Sequence, residues 1–185
     1  MNLSVDNAEP AARIRQHAQP ARTDADAVIA SLYRMHAVTL IRIAILLVGD
    51  QPSAEDVVQD AFLGLQRGMS RLRDPDKALP YLRTSVVNGC RSMQRARSRA
   101  RRQLIAHEPP VWSAEAAAMA REDRRAVLAA VADLPDRARE VLALRYYLDL
   151  ADGEIAETLG ISRSTVSSTA SRALVTLARK LEEQL

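Results

Sequence analysis

The residues of this chain best suited to chemistry are not nucleophiles or metal ligands but short hydrogen-bonding side chains and arginines. They sit in Gly153–Arg172, which reads G-E-I-A-E-T-L-G-I-S-R-S-T-V-S-S-T-A-S-R. Ile155, Ala156 and Leu159 recur at helical spacing, so a first short helix buries one face. Gly160 tolerates the left-handed conformation that ends a helix, and Ser162 is a good N-cap for a second one. Val166, Ala170 and Leu174, four apart, form the expected buried stripe of that second helix. Its other face offers Arg163, Ser164, Ser167, Ser168, Ser171 and Arg172. Small polar groups reach base edges in a major groove, and arginines reach phosphate or guanine. The segment therefore reads as a DNA-binding helix-turn-helix.

Two further clusters have segregated charge. Glu55, Asp56, Gln59 and Asp60 share the polar side of a helix whose other side carries Val57, Val58, Ala61, Phe62 and Leu65. Acids in a first helical turn favour the dipole, which accounts for Glu55 and Asp56 but not for Gln59 and Asp60. Such a face suits docking to a basic partner. Further on, Arg91, Arg95, Arg97, Arg99, Arg101 and Arg102 follow one another with no acid among them. A solvated helix usually mixes signs, so this run calls for an anionic partner.

The elements that hold these clusters are helical. The chain has 185 residues, 48% hydrophobic but only 3% aromatic, with a net charge of +3. That composition favours helices over sheets. Residues 1–23, with Pro10 and Pro20, read as a mobile tail. A helix is expected from about Asp24 to Val48, with Val28, Leu32, Met35 and Thr39 on one line and Leu40, Ile43, Ala44 and Leu47 continuing the apolar face. Gly49-Asp50 ends it, and Ser53 is the expected cap of the next helix, 54–66. A loop at 67–77 leads to a long helix over 79–102, in which Leu82, Val86, Val87 and Cys90 pack inward. Pro109-Pro110 marks a linker over 106–120. Helices then follow at 121–134 and from Asp136, the expected cap, to about 148, with Val141, Leu142, Leu144 and Tyr146 packed. The expected fold is all-α: two small helical domains, 24–105 and 121–185, joined by the linker, the second a four-helix domain with the helix-turn-helix.

Several functions are disfavoured. One cysteine gives no internal disulfide framework and no cysteine-rich zinc site. His36 reads as a packing residue, and Cys90 and His107 are isolated, so neither a metal centre nor a nucleophile–base pair is placed. No cofactor is expected. The longest unbroken apolar run, Ile43–Val48, is too short for a membrane span, and the first residues lack the apolar core of a signal peptide. A cytoplasmic, non-enzymatic protein is the expectation.

Taken together the segments resemble the extracytoplasmic-function (ECF) group of bacterial RNA polymerase sigma factors. A-E-D-V-V-Q-D-A-F (Ala54–Phe62) is similar to that family's core-binding helix. L-P-Y-L-R-T-S-V-V-N-G-C-R-S-M-Q-R (Leu79–Arg95) resembles its promoter −10 segment. L-P-D-R-A-R-E-V-L-A-L-R-Y-Y (Leu134–Tyr147), followed by Gly153–Ser168, resembles its −35 domain. The resemblance implies that Glu55, Asp56, Val57, Gln59 and Asp60 dock on the β′ clamp of core polymerase. It implies that Arg83, Asn88, Arg91, Arg95, Arg97 and Arg99 hold the −10 strand, Asn88 beside a captured base. Ser167, Ser168, Ser171 and Arg172 would face the −35 groove, with Arg163 and Thr165 near the backbone. Core polymerase (β′ clamp and β flap), promoter DNA and an anti-sigma protein are the implied partners, and the linker would follow the RNA exit path. The family usually has basic residues where Ser167 and Thr169 stand and a capping Ser or Thr at Ala151, a role open to Asp149 or Asp152. The competing reading is a stand-alone helix-turn-helix regulator that binds operator DNA as a dimer.

Overall fold

A computed structural model describes residues 20–69, 74–103 and 122–183; side chains are described from Ala25 to Ala100 and from Val127 within these. Among the described residues there are seven α-helices and no strand: α1 (Pro20–Val48), α2 (Gln51–Gly68), α3 (Ala78–Gln103), α4 (Glu122–Ala132), α5 (Asp136–Tyr147), α6 (Asp152–Leu159) and α7 (Arg163–Glu182). A short 3-10 turn, Pro75–Lys77, precedes α3. The linker 106–120 and most of the tail lie outside the described residues, although α1 already includes Pro20–Thr23.

The first three helices form one group. The second half of α1 supplies Leu40, Ile43, Ala44 and Leu47; α2 supplies Val57, Val58, Ala61, Phe62 and Leu65; α3 supplies Leu82, Val86, Val87 and Cys90, all buried as their spacing requires. The first half of α1 behaves differently. Met35 is 62% exposed although it lies on the expected apolar line, while Ile29 and Leu32 of the same half pack against the core. Tyr33 is also exposed, with its ring edge-on to Phe62 at 5.1 Å between centroids. Over Ala25–Val48, α1 is long and apolar enough to cross a membrane by length and composition, although its longest unbroken apolar run is Ile43–Val48. Its most apolar residues are nonetheless core of this group.

Capping corrects the expectation for α2. Gly49 takes φ 91°, reversing the chain, and Asp50 rather than Ser53 is the N-cap, accepting from the Ser53 N–H at 3.0 Å. Asp136 likewise does not cap α5; Pro135 occupies that position, and the Asp136 carboxylate accepts from Arg139 at 2.9 Å.

Helices α4 to α7 form the second group, around Leu134, Val141, Leu144, Ile155, Leu159, Val166 and Ala170. Tyr146, expected in this core, is 61% exposed. The two groups touch: α1 packs on α5 and α3 on α6, and their buried residues form one continuous cluster.

Candidate nucleic-acid interface

The helix-turn-helix is α6 and α7. Gly160 adopts φ 65° and ψ 42°, the left-handed conformation, and the Ile161 N–H returns to the Ala156 carbonyl at 3.0 Å. This closes α6 and turns the chain in two residues. Ser162 caps α7, its hydroxyl accepting from the Thr165 N–H at 3.1 Å. At the start of α6, Ala151 has no side-chain acceptor, and neither Asp149 nor Asp152 replaces one. Asp149 sits at φ 51°, Asp152 pairs with Arg145, and Glu154 accepts the Ala151 N–H at 3.0 Å. The Arg163 guanidinium lies over Gly153, 2.8 Å from where a Cβ would stand.

Helix α7 buries Val166, Ala170 and Ala173; Leu174 is 40% exposed, so the inward stripe drifts by one residue at its end. Arg163, Ser164, Thr165, Ser167, Ser168, Ser171 and Arg172 are exposed. The hydroxyls of Ser168 and Ser171 donate to the Thr165 and Ser167 carbonyls at 3.2 and 3.1 Å, and Arg172 Nε to the Ser168 carbonyl at 3.1 Å. One rotamer change frees each for a ligand.

Glu55, Asp56, Gln59 and Asp60 form an exposed strip along α2. Val57, grouped with them at first, is core instead at 6% exposure and packs against Gly89, where an added Cβ would stand 2.8 Å from Val57 Cγ1.

The α3 residues assigned to the −10 strand divide into three sets. Asn88, Arg95 and Arg99 are exposed. Arg97 is tied into its own group: it donates to the Val48 carbonyl at 2.7 Å, Asp50 at 2.7 Å and the Ser53 hydroxyl at 2.6 Å. Arg83 and Arg91 are turned to the second group. Arg91 grips Glu140 of α5 through Nε at 2.6 Å and Nη2 at 2.7 Å, and Nη1 reaches Asn88 Oδ1 at 3.4 Å. Its hydrogen bond to Glu140 raises its pKa. Arg83 pairs with Glu154 of α6 at 3.6 Å, and burial lowers its pKa. The acid-free run thus meets acids from two other places, Glu140 of α5 and Asp50 before α2.

Glu140 is the residue that sequence reasoning missed. Its side chain is 5% exposed, held by Arg91 and, at 3.1 Å, by Arg137. A lone acid among Ala138, Val141, Leu142, Ala143 and Leu144 was the available signal. Cys90 is fully enclosed, and burial pushes its thiol up to about 12, which leaves it inert as a nucleophile.

Family models match in the expected order: Sigma-70 region 2 over residues 32–100 and Sigma-70, region 4 over 124–177. The RNA polymerase sigma-E factor of Streptomyces avermitilis is 30% identical over 78% of this chain and 80% of its own length. The ECF RNA polymerase sigma factor SigM of Mycobacterium tuberculosis is 32% identical over 81% of this chain and 75% of its own. This chain belongs to the sigma-70 family, in its ECF group.

A probable sigma factor, RfaY of Xanthomonas campestris, is 31% identical over 77% of this chain, which spans only 38% of that relative's length. Among solved structures, CnrH in complex with the cytosolic domain of CnrY aligns with TM-score 0.66 at 21% identity, over 89% of this chain and 94% of that one. The sigma factor RpoE in complex with the anti-sigma factor NepR from Bartonella quintana aligns with TM-score 0.64 at 21% identity, over 88% and 96%. These two likenesses carry the fold. The chain is an RNA polymerase sigma factor, and the region 2 match leaves the stand-alone regulator without support.

Proposed function

We propose that this sigma factor directs core polymerase to promoters by dividing the work between its two helical groups. Residues 24–105 act as the core-binding and −10 domain and 121–185 as the −35 domain. The strip of Glu55, Asp56, Gln59 and Asp60 docks on the β′ clamp. Asn88, Arg95 and Arg99, joined by Arg83 and Arg91 once these leave their carboxylates, hold the opened −10 strand. Separating the strands costs stacking on the order of 1.4 kcal/mol per step, which captured bases and phosphate contacts must offset. Ser167, Ser168, Ser171 and Arg172 read the −35 groove, with Arg163 and Thr165 at the backbone. The chain performs no catalysis of its own and acts in the cytoplasm without membrane insertion. The β flap and an anti-sigma protein, the partner class in the Bartonella structure, complete its partners.

The observation that carries this reading is the segregation of charge on exposed faces: one acidic strip on α2, and polar and cationic side chains along α7. The test is run-off transcription with purified core polymerase and a library of genomic promoters, together with two variants. Asp56→Arg is expected to abolish polymerase binding while helicity and thermal unfolding stay unchanged. Arg172→Ala should cut promoter use with polymerase affinity intact. Retention of wild-type polymerase binding by Asp56→Arg would remove the α2 strip from the interface.

A further inference from the structure

Where α3 faces α5 there is a polar cleft of about 470 Å³. One wall is α3, which contributes Arg91, Arg95 and Arg99 at successive helical turns; the other is the first turn of α5, with Asp136, Arg137 and Glu140. The carboxylates are already spent. Glu140 is held by Arg91 and Arg137, at 2.6 and 3.1 Å, and Asp136 by Arg139 at 2.9 Å. The cations are not. Arg95 donates to the neutral Ser92 hydroxyl at 3.0 Å, and no acid among the described residues pairs with Arg95 or Arg99. Arg137 is engaged through Nη1 alone, by Glu140 and by the Leu159 carbonyl at 3.4 Å, so its Nε and Nη2 keep donors to offer. The cleft thus carries more positive charge than its own residues neutralise, and carries it on both walls.

We propose that this cleft binds an oligophosphate, either the free inorganic chain or the phosphate tail of a nucleotide, gripped by Arg95 and Arg99 from α3 and by Arg137 from α5. The planar guanidinium fork matches phosphate oxygens in pairs, which a lysine ammonium does not. The remaining lining residues, Gln94 and Ser98, are polar as well, so no aromatic or aliphatic side chain is there to recognise a base or an apolar body. The volume lies in the range of small-molecule sites. Positions four apart on a helix stand about 5–6 Å from each other, so a row of phosphates meets Arg95 and Arg99 together better than a single one does. The α5 wall is also the start of its helix, and Pro135 at the N-cap gives the first N–H groups no side-chain acceptor, which favours an anion further. A bound oligophosphate would occupy two cations assigned above to the −10 strand and so compete with it. That consequence rests on the assignment of α3; the binding does not.

Isothermal titration calorimetry of the full-length chain, at about 0.1 M salt to screen general attraction, tests the site with sodium tripolyphosphate, ATP without magnesium, AMP and orthophosphate as probes. Tripolyphosphate should bind one to one, with AMP and orthophosphate weaker by at least roughly tenfold. ATP binding beside tripolyphosphate would extend the site to nucleotide tails; tripolyphosphate alone would confine it to the inorganic chain. Arg99→Gln and Arg137→Gln should each weaken tripolyphosphate by on the order of tenfold, since each removes a charged donor. Asp136→Asn takes a like charge from the α5 wall and should tighten it about threefold. Arg42→Gln, at an exposed cation of α1 outside the cleft, should change nothing. Equal losses for Arg42→Gln and Arg99→Gln would mean diffuse attraction and overturn the site, as would binding of neither tripolyphosphate nor ATP, or equal affinity for orthophosphate. Wild-type affinity in both Arg137→Gln and Asp136→Asn would remove α5, and the cleft with it. Should Arg137→Gln not fold, Asp136→Asn decides that point alone. No DNA enters the titration, so its failure leaves the −10 roles standing, and their failure in run-off transcription leaves the site.

Discussion

Gly160 shows how much one residue fixes. Its φ of 65° is ordinary for glycine and costly for residues with a Cβ, by roughly 1–2 kcal/mol. A Cβ added there would meet nothing within 4 Å, so crowding adds no further penalty. Gly160→Ala should therefore lose about 1 kcal/mol in denaturant unfolding. Gly160→Asn should lose less, because asparagine visits this conformation more readily. Equal losses for the two variants would mean that backbone conformation is not what selects glycine at this turn. Gly89 serves a different need. It has no positive φ but lies against Val57, so there the requirement is space. The helical patterns on either side mark Gly160 as a turn glycine, but nothing in the sequence marks Gly89 as a close approach.

At the scale of an element, the junction of α1 and α2 collects more polar contacts than its sequence suggests. The last carbonyls of α1 face three donors: Gln94 reaches Leu47 at 2.8 Å, Arg97 reaches Val48 at 2.7 Å and Arg139 reaches Leu47 at 3.2 Å. Cations there complement the negative end of the helix dipole. Asp50 completes the junction. Burial works to raise its carboxyl pKa, but hydrogen bonds from Ser53 and Arg97, with the Arg97 charge, bring it below the ordinary 3.8. A lowered folded pKa stabilises the fold above the unfolded value and is lost as pH falls through the folded one. Asp50→Asn, which keeps the capping oxygen, should thus cost about 0.5–1 kcal/mol at pH 7. In urea titrations the gap to wild type should close as pH is taken from 5 to below 3. Helical period alone placed the core faces of α2 and α3 correctly, because each is covered along its length. It failed at Met35, Tyr146 and Leu174, which share the apolar pattern but stand exposed.

The arrangement of the whole molecule was the least legible from sequence. The resemblance to region 2 and region 4 gave both helical groups and their order. The ion pair that joins them links residues 49 apart, and no periodicity reports a contact of that kind. The arginine run looked uncompensated because signs were compared only along α3. In the folded chain Glu140 and Asp50 come to it from α5 and from the turn before α2, and Glu154 of α6 pairs with Arg83 two turns upstream. Among the side chains described on α3 this leaves Arg95 and Arg99 as the exposed cations. Each phosphate contact on single-stranded DNA contributes about −0.7 to the slope of log K against log salt. Glu140→Gln releases Arg91, the α3 cation that Glu140 holds, while Arg83 keeps Glu154, so the slope should steepen by about 0.7 relative to wild type. Fluorescence titrations at several salt concentrations would measure it. Parallel lines, with Glu140→Gln merely displaced to higher affinity, would mean that the freed Arg91 adds no phosphate contact and that the gain comes from elsewhere on the chain.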